Sequence, residues 1–222
     1  MIFDGHSDIF SDVRYKREAG ETQVLKNHHL DRLRKGGIGG ACFVIWADTY
    51  NGHAPKDEME AIVKGIKGEM AETKEFVLIH NVEELKAAEA AGKFAILLGI
   101  EGLAGIGEDL SKIDELYDLG ARHAMLTWNE ENALATGVKG DPNRGVTELG
   151  KQAIKKLQEK KMILDVSHIN EKSFWDVIDL ATGPILASHS NAKALASAAR
   201  NLTDDQLRAI RDTNGLVGLN AF

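Results

Sequence analysis

The sequence predicts an α/β chain of the TIM-type (β/α)8 barrel class, cut off after its seventh strand. Two features predict the class. Short β-type runs alternate with longer stretches of helical period, the mark of successive βα units and a parallel sheet. Most of those runs are almost continuously apolar, as strands covered on both faces are. A third observation places function on the fold: side chains that bind divalent metals stand at the C-terminal ends of several runs, where barrel enzymes build their sites.

In chain order, the strand candidates are Ile2 to His6, Ala41 to Trp46, Phe94 to Ile100, His123 to Thr127, Met162 to Val166, Ile185 to Ser188 and Leu216 to Asn220. Phe76 to Ile79 reads as an extra strand outside this series. Helices are marked by their punctuation. Asn81-Val82-Glu83-Glu84 starts one that Ala91-Gly92 ends, another runs from about Leu110 to Leu119 before Gly120, and Thr147-Glu148 leads into one ending near Lys160. Thr203-Asp204-Asp205 caps a helix that ends before Gly215. With 222 residues, three prolines, no repeat and no low-complexity tract, the chain reads as a single domain, residues 1–222. It stops at Asn220-Ala221-Phe222, without the helix and strand that would supply an eighth βα unit.

Composition narrows the function classes. A formal charge of −7 and the absence of a basic, aromatic-interleaved cluster argue against nucleic acid. The longest apolar stretch, Phe94 to Ile100, is far shorter than the roughly 20 residues of a membrane-spanning helix, so no membrane association is expected. The N-terminal residues lack a basic segment and apolar core, and Cys42 is the sole cysteine, which together suggest a cytoplasmic protein.

The candidate ligands are His6, Asp8, Glu101, His168 and His189. His6 and Asp8 lie two apart, so an extended segment points both to one face. Glu101 follows an apolar strand, where an unpaired carboxylate would be costly to bury. Taken singly, each has a structural reading: a hydrogen-bonded strand end for His6 and Asp8, a salt-bridged carboxylate for Glu101, a core or capping imidazole for His168 and His189. Taken together, three imidazoles and two carboxylates suit Zn²⁺ or a similar ion and exceed what one tetrahedral catalytic ion needs. Two ions bridged by Glu101 would use them all and would acidify a shared water while polarising a carbonyl.

These residues and their surroundings resemble the membrane dipeptidase family, also called renal dipeptidases or peptidase family M19. The resemblance spans essentially the whole chain: Asp4-Gly5-His6-Ser7-Asp8, then Leu30-Asp31-Arg32-Leu33-Arg34-Lys35-Gly36-Gly37, Gly99-Ile100-Glu101-Gly102, Asp165-Val166-Ser167-His168 and Ser188-His189-Ser190. It implies a metallohydrolase with two zinc ions, one held by His6 and Asp8, the other by His168 and His189, with Glu101 bridging. The implied reaction is hydrolysis of dipeptides by a bridging hydroxide, with tolerance for a D-residue at the C-terminal position, in a homodimer. It also implies that Arg200 grips the substrate carboxylate, a task suited to a bidentate guanidinium. Two departures stand out. Trp128 occupies the place of a substrate-contacting histidine, leaving Trp128 itself, Asn129 or Asn132 to meet the substrate. The family's acid/base aspartate belongs to the eighth strand, which this chain lacks. Two alternatives therefore stand beside the dipeptidase: a related barrel amidohydrolase acting on another amide or a lactam, and a catalytically incomplete zinc-binding fragment.

Other signals are set aside. Gly36 to Gly40 reads as a helix stop and tight turn rather than a phosphate loop, because it precedes a strand. His28, His29 and His53 read as solvent-exposed loop residues, and His80 and His123 do not match the metal set. Glu83-Glu84 suits the first turn of a helix. Asp165 reads either as a partner that orients His168 or as a strand cap.

Overall fold

The computed structural model describes residues 1–47 and 52–221. Its first half runs β1 (Ile2–Ser7), α1 (Ile9–Glu18), a π-helical turn (Leu25–Leu30), α2 (Asp31–Lys35), β2 (Ile38–Trp46), α3 (Pro55–Glu72), β3 (Phe76–Leu78), α4 (Val82–Ala90) and β4 (Phe94–Glu101). After a 3₁₀ turn at Ala104–Ile106 come α5 (Lys112–Leu119), β5 (Ala121–Met125), α6 (Glu148–Glu159), β6 (Ile163–Asp165), α7 (Glu171–Leu180), β7 (Ile185–Ala187), α8 (Asp204–Asp212) and β8 (Leu216–Val217).

The helix starts reflect the side-chain chemistry. Asn81, Thr147, Asn170 and Thr203 each accept a first-turn N–H, and Thr203 with Gln206 closes a reciprocal capping box. Pro55 opens α3, at a position where its missing N–H costs nothing.

All strand pairs are parallel, in the order β1-β2-β4-β5-β6-β7-β8. This curled sheet of seven strands is the expected barrel wall, and every predicted strand is present within a few residues. The extra strand is real as well. β3 pairs with the start of β4, Leu78 opposite Ile96, and β5 takes over higher up with Ala121 opposite Leu98. Two neighbours thus share one side of β4.

The glycine run is a partial correction. Only Gly36 and Gly37 turn, Gly37 at φ +69°, whereas Gly39 and Gly40 already belong to β2. Gly40 is there for space, since a Cβ would stand 2.8 Å from the Phe3 ring. His29 is a second correction. It lies in the π-helical turn, 8% exposed, with Nε2 2.8 Å from Asp12 Oδ2, a partner 17 residues away. His28 and His53 are exposed as expected.

The core joins the inner strands to their helices. Phe43 packs edge-on against Phe10 at 5.4 Å and stacks on Phe94 at 5.5 Å, with Ile45, Ile96, Leu98 and Ile100 fully buried alongside. Each such side chain contributes about 1.5–3 kcal/mol by leaving water. No described helix is long and apolar enough to cross a membrane.

Candidate metal centre

The strand ends converge as the sequence suggests. His6 is the penultimate residue of β1, Asp8 comes just after the strand, Glu101 closes β4, and His168 and His189 stand in the turns after β6 and β7. Glu101 is 3% exposed and central. Its Oε2 lies 3.2 Å from His6 Nε2, while Oε1 lies 2.8 Å from His168 Nε2 and 3.6 Å from His189 Nε2. His6, Glu101 and His189 offer ligand atoms all within 4.8 Å of one another. His168 joins them, its Nε2 2.7 Å from that of His189. Asp8 is the outermost of the five, 3.6 Å from His6 Nε2 with its side chain 52% exposed.

Local structure aims these rings. His168 Nδ1 donates to Asn129 Oδ1 at 2.9 Å, which leaves Nε2 with its lone pair toward Glu101 and His189. Ser188 Oγ bonds His189 Nδ1 at 2.9 Å and turns that Nε2 inward too. Gly102, at φ +82°, lets the chain turn sharply after Glu101, with Trp128 N only 2.8 Å from where a Cβ would be.

The electrostatics fit a cation. Burial, reinforced by the charge of Arg200, pushes His168 down to about 2; burial, reinforced by His6, pushes His189 down to about 3. Both rings are therefore neutral at pH 7, the form in which an imidazole can bind a metal. Burial alone would lower His6 as well, but its bonds to Asp8 and Glu101 outweigh that and raise it to about 10. Burial lifts Glu101 to about 7 against the pull of His6. Asp8 is lowered, because its bonds to His6 and Glu101 overcome burial. The protein alone thus keeps a proton on His6 where two carboxylates call for positive charge, and a divalent ion answers the same need. Two inward imidazole nitrogens 2.7 Å apart beside a carboxylate oxygen are likewise a donor set that a shared cation relieves.

Trp128 forms a wall beside this cluster, edge-on to Trp46 at 5.3 Å and 6.0 Å from the His168 ring. Asn129 has a contact that the sequence does not reveal: its carboxamide oxygen is engaged by His168, while its NH₂ remains the donor group. Asn132 is also occupied, donating to Leu126 O and accepting from Leu134 N. Arg200 is half-buried with Nη2 3.3 Å from His189 O, and among the described residues it has no carboxylate within salt-bridge range. Burial lowers it to about 10, so it stays charged at neutral pH. His80 pairs with Glu84 and His123 with Asp165, both outside the metal set as expected. Ser188 and Asn129 are orienting residues that motif reading did not assign; Ser188 adjoins His189 in the chain, whereas Asn129 stands 39 residues from the ring it holds.

A family model described as membrane dipeptidase (peptidase family M19) matches residues 1–222. The chain belongs to that family. Membership makes it a hydrolase of the metallo-dipeptidase type. It is 31% identical over 250 aligned positions to an uncharacterized protein in the PQQ-III 3′ region of Acinetobacter calcoaceticus, covering 99% of this chain and 79% of that one. Among solved structures, it is similar to the dipeptidase AC, a metallo peptidase of family M19, with a TM-score of 0.88 and 27% identity over 98% of this chain and 72% of that one. A metallo peptidase from Rhodobacter sphaeroides, solved with a phosphinate mimic of the dipeptide L-Ala-D-Ala, is similar with a TM-score of 0.87 and 27% identity, covering 98% and 73%.

Proposed function

We propose that this protein hydrolyses dipeptides at a two-ion zinc centre, His6 and Asp8 holding one ion, His168 and His189 the other, and Glu101 shared between them. The observation that carries this reading is the division of labour at Glu101, one oxygen toward His6 and the other toward His168 and His189. Bound there, the ions would supply a water acidified toward neutral pH and a Lewis acid for the scissile carbonyl.

The chain's own residues do the rest. Asn129 and Ser188 hold the two imidazoles in the tautomer that offers Nε2. Arg200 binds the substrate's free carboxylate, since it is a half-buried charge beside the site without an acidic partner among the described residues. Trp128 lines the pocket with an apolar face and excludes water from the reacting bond. Tolerance of a D-residue at the C-terminal position is favoured by the L-Ala-D-Ala mimic in the R. sphaeroides relative. In this reading the chain is one barrel domain acting as a cytoplasmic homodimer.

The test is hydrolysis of a panel of L,L and L,D dipeptides by zinc-loaded protein, with Arg200→Ala beside it. Dipeptides should be cleaved, and Arg200→Ala should raise KM about 10–100-fold, the loss of a charge-assisted hydrogen-bond pair, with kcat far less affected. An effect of Arg200→Ala on kcat alone would contradict its role. Because Trp128 replaces the histidine that the resemblance leads one to expect, N-acyl amides and lactams belong in the panel. Cleavage of those alone would favour the amidohydrolase reading.

A further inference from the structure

Two of the proposed ligands, His168 and His189, are not on strands but in turns beyond β6 and β7, so their aim depends on what holds those turns. One buried side chain touches both. Asp165, the last residue of β6, is 1% exposed. Its Oδ1 accepts the N–H of Ser167 at 2.7 Å, and its Oδ2 accepts the N–H of Ser188 at 3.1 Å. Those two amides directly precede His168 and His189 in the chain. Oδ2 also lies 2.7 Å from Nε2 of His123, which is fully buried on β5. The carboxylate only accepts, so His123 donates to it from Nε2.

The turns are tied to each other as well. The His189 N–H donates to Ser167 Oγ at 3.3 Å, and Ser190 N donates to Gly218 O at 2.9 Å beyond β8. On the other side of the carboxylate, β4 leaves the space that His123 needs: a Cβ on Gly99 would stand 2.5 Å from His123 Nδ1 and 2.8 Å from Cys42 Sγ. The network thus runs from the barrel interior to the two histidine turns through one carboxylate.

We propose that Asp165 is a positioning residue for the metal centre, which, with His123 holding it, fixes the Ser167-His168 and Ser188-His189 turns in ligating geometry before any metal arrives. This rests on the proposed metal centre and adds to it the reason that two ligands in turns beyond short strands are pre-aimed. Asp165 itself touches neither the substrate nor the proposed ions. Replacing one carboxylate oxygen by an amide NH₂, as in Asp165→Asn, places a donor against a backbone N–H that cannot turn away, whichever way the amide faces. One turn must then come loose.

The first measurement is amide hydrogen exchange on the metal-free wild-type protein. Ser167 and Ser188 should be as protected as the neighbouring strand amides; free exchange that slows only when Zn²⁺ is added would overturn the inference, because the metal would then be doing the ordering. The second is Zn²⁺ affinity of wild type and Asp165→Asn by chelator competition, with the visible spectrum of the Co²⁺-loaded forms as a readout of ligand geometry. Weakening of about 10–100-fold with an altered Co²⁺ spectrum is expected, the usual range for partners that orient metal ligands. Equal affinity and an identical spectrum would overturn the inference while leaving the metal centre standing, whereas wild-type protein that binds no Zn²⁺ would sink the centre itself. Should Asp165→Asn fail to fold, the exchange pattern of the wild type still decides.

Discussion

Two sides of the sheet hold the same site by different means. On one side, β2 and β4 pair over seven successive positions, from Gly40 opposite Ala95 to Trp46 opposite Glu101, and Glu101 is the last rung of that ladder. On the other, β6, β7 and β8 are two or three residues long, and only two pairs of partners join each to the next. Glu101 is thus positioned by backbone hydrogen bonds and a packed core. His168 and His189 are positioned by side chains, those of Asp165, Asn129, Ser188 and Ser167. A long ladder fixes direction without help, whereas a short strand must recruit local hydrogen bonds to aim the turn at its end.

The contrast breaks most visibly at the ligands. Glu101→Ala removes the one group shared by both halves and should abolish stoichiometric zinc, lowering dipeptide kcat/KM by more than the roughly 100-fold that even an indirect ligand partner can cost. His168→Ala should lower bound metal by about one ion per chain; metal analysis after dialysis distinguishes the two, and unchanged stoichiometry in His168→Ala would count against its assignment.

A stability comparison comes next. Leu98→Ala, at a fully buried position of β4, should cost about 2–5 kcal/mol in denaturant unfolding. Leu216→Ala, on β8 and 68% exposed, should stay within about 0.5 kcal/mol. Equal costs would mean that the two sides are equally well packed.

The smallest effect concerns pH. Arg17 on α1 grips both oxygens of Glu72 at the end of α3, at 2.8 and 2.9 Å, and with the Gln23 N–H holds that exposed carboxyl down at about 2. A carboxylate depressed on folding stabilises the protein above its unfolded value near 4.5, and that contribution fades as pH falls from there toward 2. Glu72→Gln should therefore flatten the acid limb of melting temperature against pH in that window; an unchanged slope would show that the pair adds nothing.

The same division governs how much of the molecule is legible in its sequence. Glu101 and the strands around it stand out because a carboxylate at the end of a continuous apolar run needs a positive partner, and the run itself marks a buried strand. His168 and His189 are legible as candidate ligands by position and by resemblance. The groups that aim them are less so, because Asn129 reaches His168 across 39 residues and Asp165 reaches Ser188 across 23. No local pattern encodes such pairings. Asn129, read in the sequence as a substrate contact, also holds a ring. His29 misled for a similar reason: a polar, histidine-rich segment looks solvated until Asp12, from another helix, closes over it.

His168 carries a further consequence. Its backbone sits at φ +74°, in the left-handed region that few residues other than glycine enter, histidine being with asparagine and aspartate among those that do so more often. Its carbonyl is pinned by the Val138 N–H at 2.9 Å and its ring by Asn129. Such a conformation costs about 1–2 kcal/mol. On the proposed assignment, thermostability and metal binding are therefore opposed at this residue. A screen that rewards heat resistance alone would drift toward glycine there, and would return a sturdier protein with a proposed ligand missing.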